Sequence, residues 1–235
     1  MRLRTRVVLQ LAALFLLGAF SFAADDAYLY IVHGIPGRDI SDIVNPSLPI
    51  DVLFEGDCVV RGLAFGSISG PLSFSAGAYN VQISQANTLA PCTNPALISS
   101  QVTLTSGKSA SAVAAISDGE PALLQFVDNL APVVPGNARF VLVQAADAPA
   151  LQGTLTERGV TNPKTFTVKA SPDTQQWIGI PYGTYLVEVT AAGNTTVLAS
   201  EQIVMTDQSV TLAYAVGAAA NNSVGLVYRI VNDVF

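Results

Sequence analysis

The sequence predicts an all-β protein, built from two tandem Ig-like, Greek-key β-sandwich domains that follow a cleaved signal peptide. Short runs rich in Val, Ile, Thr and Tyr alternate apolar with polar residues, and this period of two is typical of half-buried strands. Gly, Pro, Asn or Ser separates the runs, as turns between strands require. A glycine that stands two residues before a tyrosine opens such a run twice, at Gly77 and at Gly183. The repetition indicates two related domains.

The strands are predicted from these alternating runs. Tyr79, Val81 and Ile83 alternate with polar residues in the first repeated run, and the second run has the same pattern. The alanine-rich stretch 110–115 favours a helix by composition, but Ser and Val interrupt it and glycines close it on both sides. Further strands are predicted at residues 27–33, 50–54, 102–105, 139–143, 209–215 and 224–231.

The first residues have the pattern of a secretory signal peptide. Arg2, Arg4 and Arg6 precede an apolar stretch at residues 7–18, and small residues lead up to Ala23. The apolar stretch is shorter than the roughly 20 residues that a membrane-spanning helix needs. We therefore expect residues 1–23 to be removed, so that a periplasmic, cell-surface or extracellular protein begins at Ala24 without stable membrane insertion.

Composition excludes several classes of partner. The chain has 11 basic and 17 acidic residues, a net charge of −6 at pH 7, and the predicted signal removes three of the basic ones. An acidic surface repels nucleic acid and anionic lipid, so neither is expected as a partner. Because 50% of the residues are hydrophobic and only 12% are charged, the chain has enough apolar side chains for packed cores.

The predicted domain boundaries follow the repeat. The first domain is expected at residues 25–130 and the second at residues 136–235, with the segment LAPVVPG between them. Two prolines in that short segment make it semi-rigid, so the domains are expected to hold a preferred orientation.

The repeated glycine and tyrosine resemble the tyrosine corner of Greek-key sandwiches. The glycine is expected to adopt a positive φ, and the tyrosine two residues later is expected to bury its ring while its hydroxyl bonds to the backbone. Leu72 and Ile180 are the expected apolar neighbours. Alternation places Tyr79 and Tyr185 on the same side as Val and Ile, which favours burial over exposed sugar-stacking rings.

Several motifs in one order resemble a known family. They read YIVHGIPG, IDVLFEG, LAFGSIS and FSAGAYNVQI, between residues 30 and 83. The order is similar to the exported bacterial family known as domain of unknown function family 4397, over residues 27–128 and more faintly over 138–233. The chain departs from the family at Gly37, in an extra loop at residues 38–49, and in lacking the histidine in the second copy. The resemblance implies a β-sandwich-like envelope module with no assigned reaction.

No catalytic or cofactor-binding residue is predicted. His33 is the only histidine, and no serine lies in a nucleophile elbow that it could serve. The GSISG segment at residues 66–70 has isoleucine at the central position. The SGKS segment at 106–109 ends like a phosphate-binding loop, but Val102 replaces the first glycine that such a loop needs. A structural His33 is the expectation.

Two groups of residues are weighed as binding sites. Calcium in secreted proteins is bound by clustered oxygen ligands, but the spacing of the carboxylates matches no known loop, and a solvated strand edge with Asp51 and Glu55 on one face is expected instead. The aromatic candidates for sugar binding are too scattered in sequence to predict a platform. The carboxylates are Asp39, Asp42, Asp51, Glu55 and Asp57, and the aromatic residues are Trp177, Tyr182, Tyr28 and Tyr30.

Cys58 and Cys92 are the only cysteines, and both lie in the first predicted domain. An even pair in an oxidising compartment predicts a disulfide. A redox-active dithiol would need closer spacing and a zinc site would need two further ligands.

Three functional hypotheses follow. The favoured one is a non-catalytic envelope or extracellular module for structure or interaction, with another envelope protein or a glycan as partner. The second is a module that binds glycan, peptide or calcium. The third is a hydrolytic enzyme, which would require His33 to face at least two carboxylates in a cleft.

Overall fold

The computed structural model describes residues 26–39 and 47–232. These residues form four four-stranded sheets arranged as two sandwich-like halves, which confirms the predicted all-β fold. Over this described part of the chain, no helix has the length and apolarity needed to cross a membrane. The predicted signal peptide, Ala24 and Asp42 lie outside the described residues.

The first half consists of two facing sheets around one hydrophobic core. Its strands are β1 (Ala27–His33), β2 (Ile50–Phe54), β3 (Asp57–Leu63), β4 (Ile68–Phe74), β5 (Gly77–Gln85), β6 (Ala96–Leu104), β7 (Ser109–Ser117) and β8 (Glu120–Val127). One sheet has the order β4-β1-β7-β8 and the other has the order β3-β2-β5-β6. β1 pairs antiparallel with β4 and parallel with β7.

The second half repeats this arrangement around a second core. Its strands are β9 (Asn137–Gln144), β10 (Leu151–Glu157), β11 (Thr165–Ala170), β12 (Gln175–Pro181), β13 (Gly183–Ala191), β14 (Val197–Met205), β15 (Val210–Val216) and β16 (Gly225–Val231). The sheet orders are β12-β9-β15-β16 and β11-β10-β13-β14, and β9 pairs parallel with β15. Each strand therefore has the same neighbours as the strand eight places earlier.

The two halves pack together through one sheet of each. The sheets β4-β1-β7-β8 and β12-β9-β15-β16 share a third hydrophobic cluster, which includes Val32 and Val113 from the first half and Val141 and Leu212 from the second. β7 and β15 are consequently buried along almost their whole length. Strands buried on both faces do not alternate. The alanine-rich stretch 110–115 therefore lies in a strand, and its composition reflects burial on both sides.

Both tyrosines of the repeated pattern form the expected backbone bond. The hydroxyl of Tyr79 donates to the carbonyl of Ser75 at 2.8 Å, and that of Tyr185 donates to the carbonyl of Pro181 at 2.8 Å. Tyr185 is fully buried, as predicted. Tyr79 is only half-buried, which corrects the prediction. Its ring packs on Phe54, with 4.6 Å between the ring centroids, and keeps part of its surface in solvent.

The predicted positive φ is present at Gly183, where φ is 157°, but Gly77 has a different role from the one predicted. Gly77 is absent from the positive-φ residues of the described chain, so it does not make the expected turn. Instead, the tyrosine ring folds back over it: a Cβ atom built on Gly77 would lie 3.5 Å from the Tyr79 ring, and one on Gly183 would lie 3.8 Å from the Tyr185 ring. Both are ordinary contact distances, so alanine would fit at Gly77, whereas a longer side chain would displace the ring. At Gly183 the φ of 157° is one that residues with a side chain rarely adopt, so even alanine would be strained there.

Candidate functional site

His33 ends β1 and is completely buried. Its Nε2 donates to the carbonyl of Leu48 at 2.7 Å, and its Nδ1 accepts from the amide of Ile35 at 3.3 Å. Burial lowers the pKa of His33, against the opposing effect of the bond to Leu48. Both ring nitrogens of the neutral imidazole are thus engaged, and the side chain holds the segment after β1 against the loop before β2.

Asp51 is also buried, so the prediction that it shares a solvated edge with Glu55 is wrong. Its carboxylate accepts backbone N–H groups from Gly62 at 2.8 Å, Cys92 at 2.7 Å and Asn87 at 3.1 Å. Burial by itself would raise the pKa of Asp51, but these donors together with nearby Arg61 hold it below its ordinary value. The carboxylate therefore organises the loop around Cys92.

The other described carboxylates of that group lie apart. Asp39 accepts from Asn221 at 3.0 Å and from Ser223 at 2.6 Å, and so it joins the two halves. Glu55 and Asp57 are exposed where β2 turns into β3, and Glu55 lies outside the strand with φ of 50°. In the portions 26–39 and 47–232, no three His, Cys, Asp or Glu side chains are grouped to hold a metal ion.

Cys58 and Cys92 form a disulfide, with 5.9 Å between their Cα atoms. Cys58 lies in β3, and Cys92 lies in the loop between β5 and β6. The bridge fixes the same loop that Asp51 binds through the amide of Cys92.

A buried polar cluster links the halves at the edge of their interface. The carboxylate of Asp128 accepts from Ser109 at 2.6 Å and from Ser111 at 2.7 Å, and it pairs with Arg229 at 3.0 Å. The hydroxyl of Ser111 also lies 2.7 Å from that of Tyr214. Because Ser111 donates its one proton to Asp128, Tyr214 donates to Ser111. We call this the polar cluster; it comprises Tyr30, Ser109, Ser111 and Asp128 from the first half and Tyr214 and Arg229 from the second.

Burial shifts the pKa values of two members of the polar cluster, Asp128 and Tyr214. It raises the pKa of Asp128, although Arg229 and the two serines oppose the rise. Burial, reinforced by the charge of Asp128, raises the pKa of Tyr214 to about 12. Tyr214 therefore remains a hydrogen-bond donor across the ordinary pH range.

Beside the polar cluster, the halves separate and leave a cleft of about 940 Å³. The outer face of β1 shows how the cleft arises, since Val32 is buried in the interface, Tyr30 is half-buried and Tyr28 is 42% exposed. Tyr28 and Tyr30 line one wall together with Lys108 from the turn before β7. Residues of β4, the end of β8, the linker and the end of β16 also line the cleft.

The remaining aromatic candidates lie on the other side of the linker. Trp177 is 55% exposed and lines a smaller depression of about 260 Å³, where the guanidinium of Arg139 lies 5.1 Å from the centre of its ring. Tyr182 is equally exposed, and its amide donates to the carbonyl of Gly136. Pro132 lines both cavities. The fold thus gathers the four aromatic residues around the linker, in two separate places.

The family comparison agrees with the motifs around His33. The model of the family described as domain of unknown function (DUF4397) matches residues 27–154. The chain belongs to the DUF4397 family. The match covers the first half of this DUF4397 chain and continues through β9 into β10, so it does not delimit a second copy.

Solved structures resemble the DUF4397 chain only distantly. The Bacillus anthracis TIE protein is 11% identical over 87% of this chain, which spans 34% of that protein, with a TM-score of 0.26. Candidate cell adhesion proteins from Bacteroides ovatus ATCC 8483 and Bacteroides uniformis ATCC 8492 are 12% and 7% identical, with TM-scores of 0.29 each. They match 86% and 88% of this chain over 96% and 98% of their own lengths. The search of curated proteins finds no match.

Sequence reasoning missed the pairing of Asp128 with Arg229 in this DUF4397 chain, and it considered Lys108 only within the SGKS segment that it rejected as a phosphate-binding loop. Asp128 follows the apolar run of β8, and Arg229 is the only charged residue inside the apolar run of β16. A lone charge within an apolar strand is a signal that it is buried with a partner, because an unpaired buried charge is too costly. That signal identifies Arg229, but it does not show that Asp128 is its partner.

Proposed function

We propose that the chain is a non-catalytic exported module that serves structure or interaction in the cell envelope or outside the cell. The observation that carries the proposal is that its buried ionisable side chains are bound into the scaffold. His33 uses both ring nitrogens, Asp51 accepts three backbone N–H groups, and Asp128 is paired with Arg229. A general acid or base must instead present a proton or a lone pair to a substrate.

Export is supported by two features. The N-terminal pattern of arginines, an apolar stretch and small residues is that of a signal peptide. The bridge between Cys58 and Cys92 is of a kind that persists in oxidising compartments. Intact-mass measurement of the exported protein should give a chain that begins at Ala24, and retention of residues 1–23 in a membrane fraction would overturn this part of the proposal.

We also propose that residues 25–130 and 136–235 are two copies of the family domain. The sheet orders of the two halves correspond strand for strand, including the parallel pair in each. Tyr79 and Tyr185 occupy equivalent strands and bond to the carbonyl four residues earlier. An experimental structure should superimpose the halves with Tyr79 on Tyr185, and a different register would contradict the duplication.

The absence of catalysis can be tested directly. Purified exported protein should show no turnover of chromogenic ester, peptide or glycoside substrates above the buffer rate. Parallel assays of His33→Gln and Asp128→Asn identify any contaminating hydrolase, because its activity would be unaffected by either substitution. Turnover that His33→Gln abolishes, in a variant that keeps its β-sheet circular dichroism, would reverse the proposal.

A further inference from the structure

Three side chains that line the cleft between the halves carry hydrogen-bond donors, and these are Lys108, Asn129 and Asn232. Lys108 has no ion-pair partner among the described residues. The side-chain oxygen of Asn129 already accepts from Arg139 and from the amide of Ala131, so its amide nitrogen is left to donate. Asn232 is arranged similarly, since its side-chain oxygen accepts from Thr206 at 2.7 Å. All three donors line the cleft.

The carboxylate of Asp128, which also lines the cleft, does not balance the positive charge of Lys108. Asp128 has no exposed side-chain surface and accepts from two serines and Arg229. Its charge is therefore balanced by that of Arg229, and among the described residues Lys108 is the charged side chain of the lining that has no ion-pair partner. A cation at the mouth of a partly enclosed cleft attracts an anion more strongly than the same cation on an open surface. The lining consequently favours a ligand that carries oxygen acceptors and a negative charge.

Tyr28 adds a flat apolar surface to this wall. Its ring is 42% exposed, whereas the neighbouring ring of Tyr30 is covered by the guanidinium of Arg229. An exposed tyrosine offers a large contact area with few rotatable bonds, which keeps the entropy cost of binding low. The apolar C–H face of a sugar ring fits against such a surface while its hydroxyls remain free for hydrogen bonds. The size of the cleft is also in the range of small-molecule sites at domain interfaces.

We propose that this cleft binds a carboxylate-bearing saccharide. The sugar ring lies against Tyr28, and the carboxylate is held by Lys108 and the side-chain amides of Asn129 and Asn232. The inference rests on the proposed function of an exported interaction module, and it names the chemistry of that module's ligand.

Calorimetric titration at an ionic strength of roughly 0.15 M tests the proposal, because salt at that concentration screens the long-range repulsion between the acidic chain and an acidic oligosaccharide. The probes are uronic acid oligosaccharides of the galacturonate, mannuronate and glucuronate series, each beside the neutral oligosaccharide of equal length. At least one acidic series should bind, and its neutral counterpart should bind at least about tenfold more weakly. Tyr28→Ala and Lys108→Gln should each weaken binding about tenfold, and Lys108→Glu should abolish it. Tyr228→Ala and Lys164→Gln remove an exposed ring and an exposed cation outside the cleft, so they should leave the affinity unchanged.

Several results would overturn the inference. The first is that no acidic series binds, and the second is that acidic and neutral oligosaccharides bind equally well. The third is that the cleft variants and the control variants lose the same amount of affinity. Equal affinity for an acidic peptide of similar length would overturn the saccharide class. Assay of released reducing ends in the same samples separates the two proposals, since cleavage would contradict the non-catalytic function while leaving binding in the cleft intact.

Discussion

The Cζ atom of Arg229 lies 3.1 Å from the centroid of the Tyr30 ring, and the two residues belong to different halves. The same guanidinium pairs with Asp128 of the first half. Arg229 thus brings a positive charge from the second half onto a ring and a carboxylate of the first. Its side chain is only 12% exposed, so solvent does little to screen these contacts.

Loss of Arg229 should lower the stability of the folded chain. Arg229→Met keeps much of the side-chain volume but leaves the carboxylate of Asp128 buried without its cation. We expect the free energy of unfolding in urea to fall by about 3 kcal/mol, because breaking a buried ion pair leaves an uncompensated charge. Arg158→Met, at an exposed position, is the matched control and should cost under about 0.5 kcal/mol. The double variant with Asp128→Asn should recover part of the loss, and equal losses in Arg229→Met and the control would refute this account.

His33 should make stability depend on pH. Because its pKa is lowered by burial, the folded chain binds fewer protons than the unfolded chain between that lowered value and the ordinary value near 6.5. The stability that neutral His33 contributes is therefore fully present above about pH 6.5, and it is lost as the pH falls through the folded-state pKa. Urea unfolding from about pH 7.5 to about pH 5 should show a larger decline in wild type than in His33→Gln. Identical slopes would show that His33 does not titrate between the two states.

The disulfide should stabilise the first half. Alkylation of the non-reduced exported protein should find no free thiol. Replacement of both cysteines by serine should lower the free energy of unfolding by about 3 to 4 kcal/mol on the chain-entropy model. Full labelling of Cys58 and Cys92 without reduction would reject the bridge in the exported protein.

Gly34 should not tolerate a side chain. A Cβ atom there would lie 2.6 Å from Cγ1 of Val216 and 2.9 Å from the carbonyl oxygen of Ala114, where the halves meet. Gly34→Ala should lower the free energy of unfolding by about 1 to 3 kcal/mol, because the added methyl group overpacks the interface. Gly179→Ala is the control, because a Cβ atom at Gly179 meets nothing within 4 Å. Equal melting temperatures of the two variants would show that the interface adapts without cost.

The hydroxyl of Tyr185 in the tyrosine corner should contribute to the stability of the fold. Tyr185→Phe removes the bond to the carbonyl of Pro181 and should cost about 1 kcal/mol. Tyr228→Phe, at a partly exposed ring, serves as the reference and should be nearly neutral. A loss in Tyr185→Phe no greater than in the reference would mean that the ring alone stabilises the corner.

The strands that face one core and the solvent were predictable because their alternation is strict. In β5, Val81 and Ile83 are buried while Asn80 and Gln82 are exposed, and in β13 Tyr185 is buried with its hydroxyl on the backbone. β7 was the weakest assignment, since burial on both faces replaces alternation with small residues throughout. No local pattern shows that a second sheet will cover the outer face of a strand.

Polar residues were harder to assign. The sequence pattern does not distinguish Asp51 from the exposed Asp57. Only the fold brings three backbone N–H groups around Asp51. The cleft was not predictable, because its lining comes from β1, β4, the turn before β7, the end of β8, the linker and the end of β16. Those segments are far apart in sequence and meet only when the halves dock.

The parallel pairing of Tyr28 with Ser109 also orders events during biosynthesis. A chain that emerges N-terminus first delivers β1 early and can pair it with β4, but the other edge of β1 must wait until β7 has emerged. The same delay separates β9 from β15. Such non-local pairings fold slowly and leave apolar strand edges open to wrong partners in the interval. A chaperone that shields unpaired strands should therefore raise the yield of the correctly folded chain.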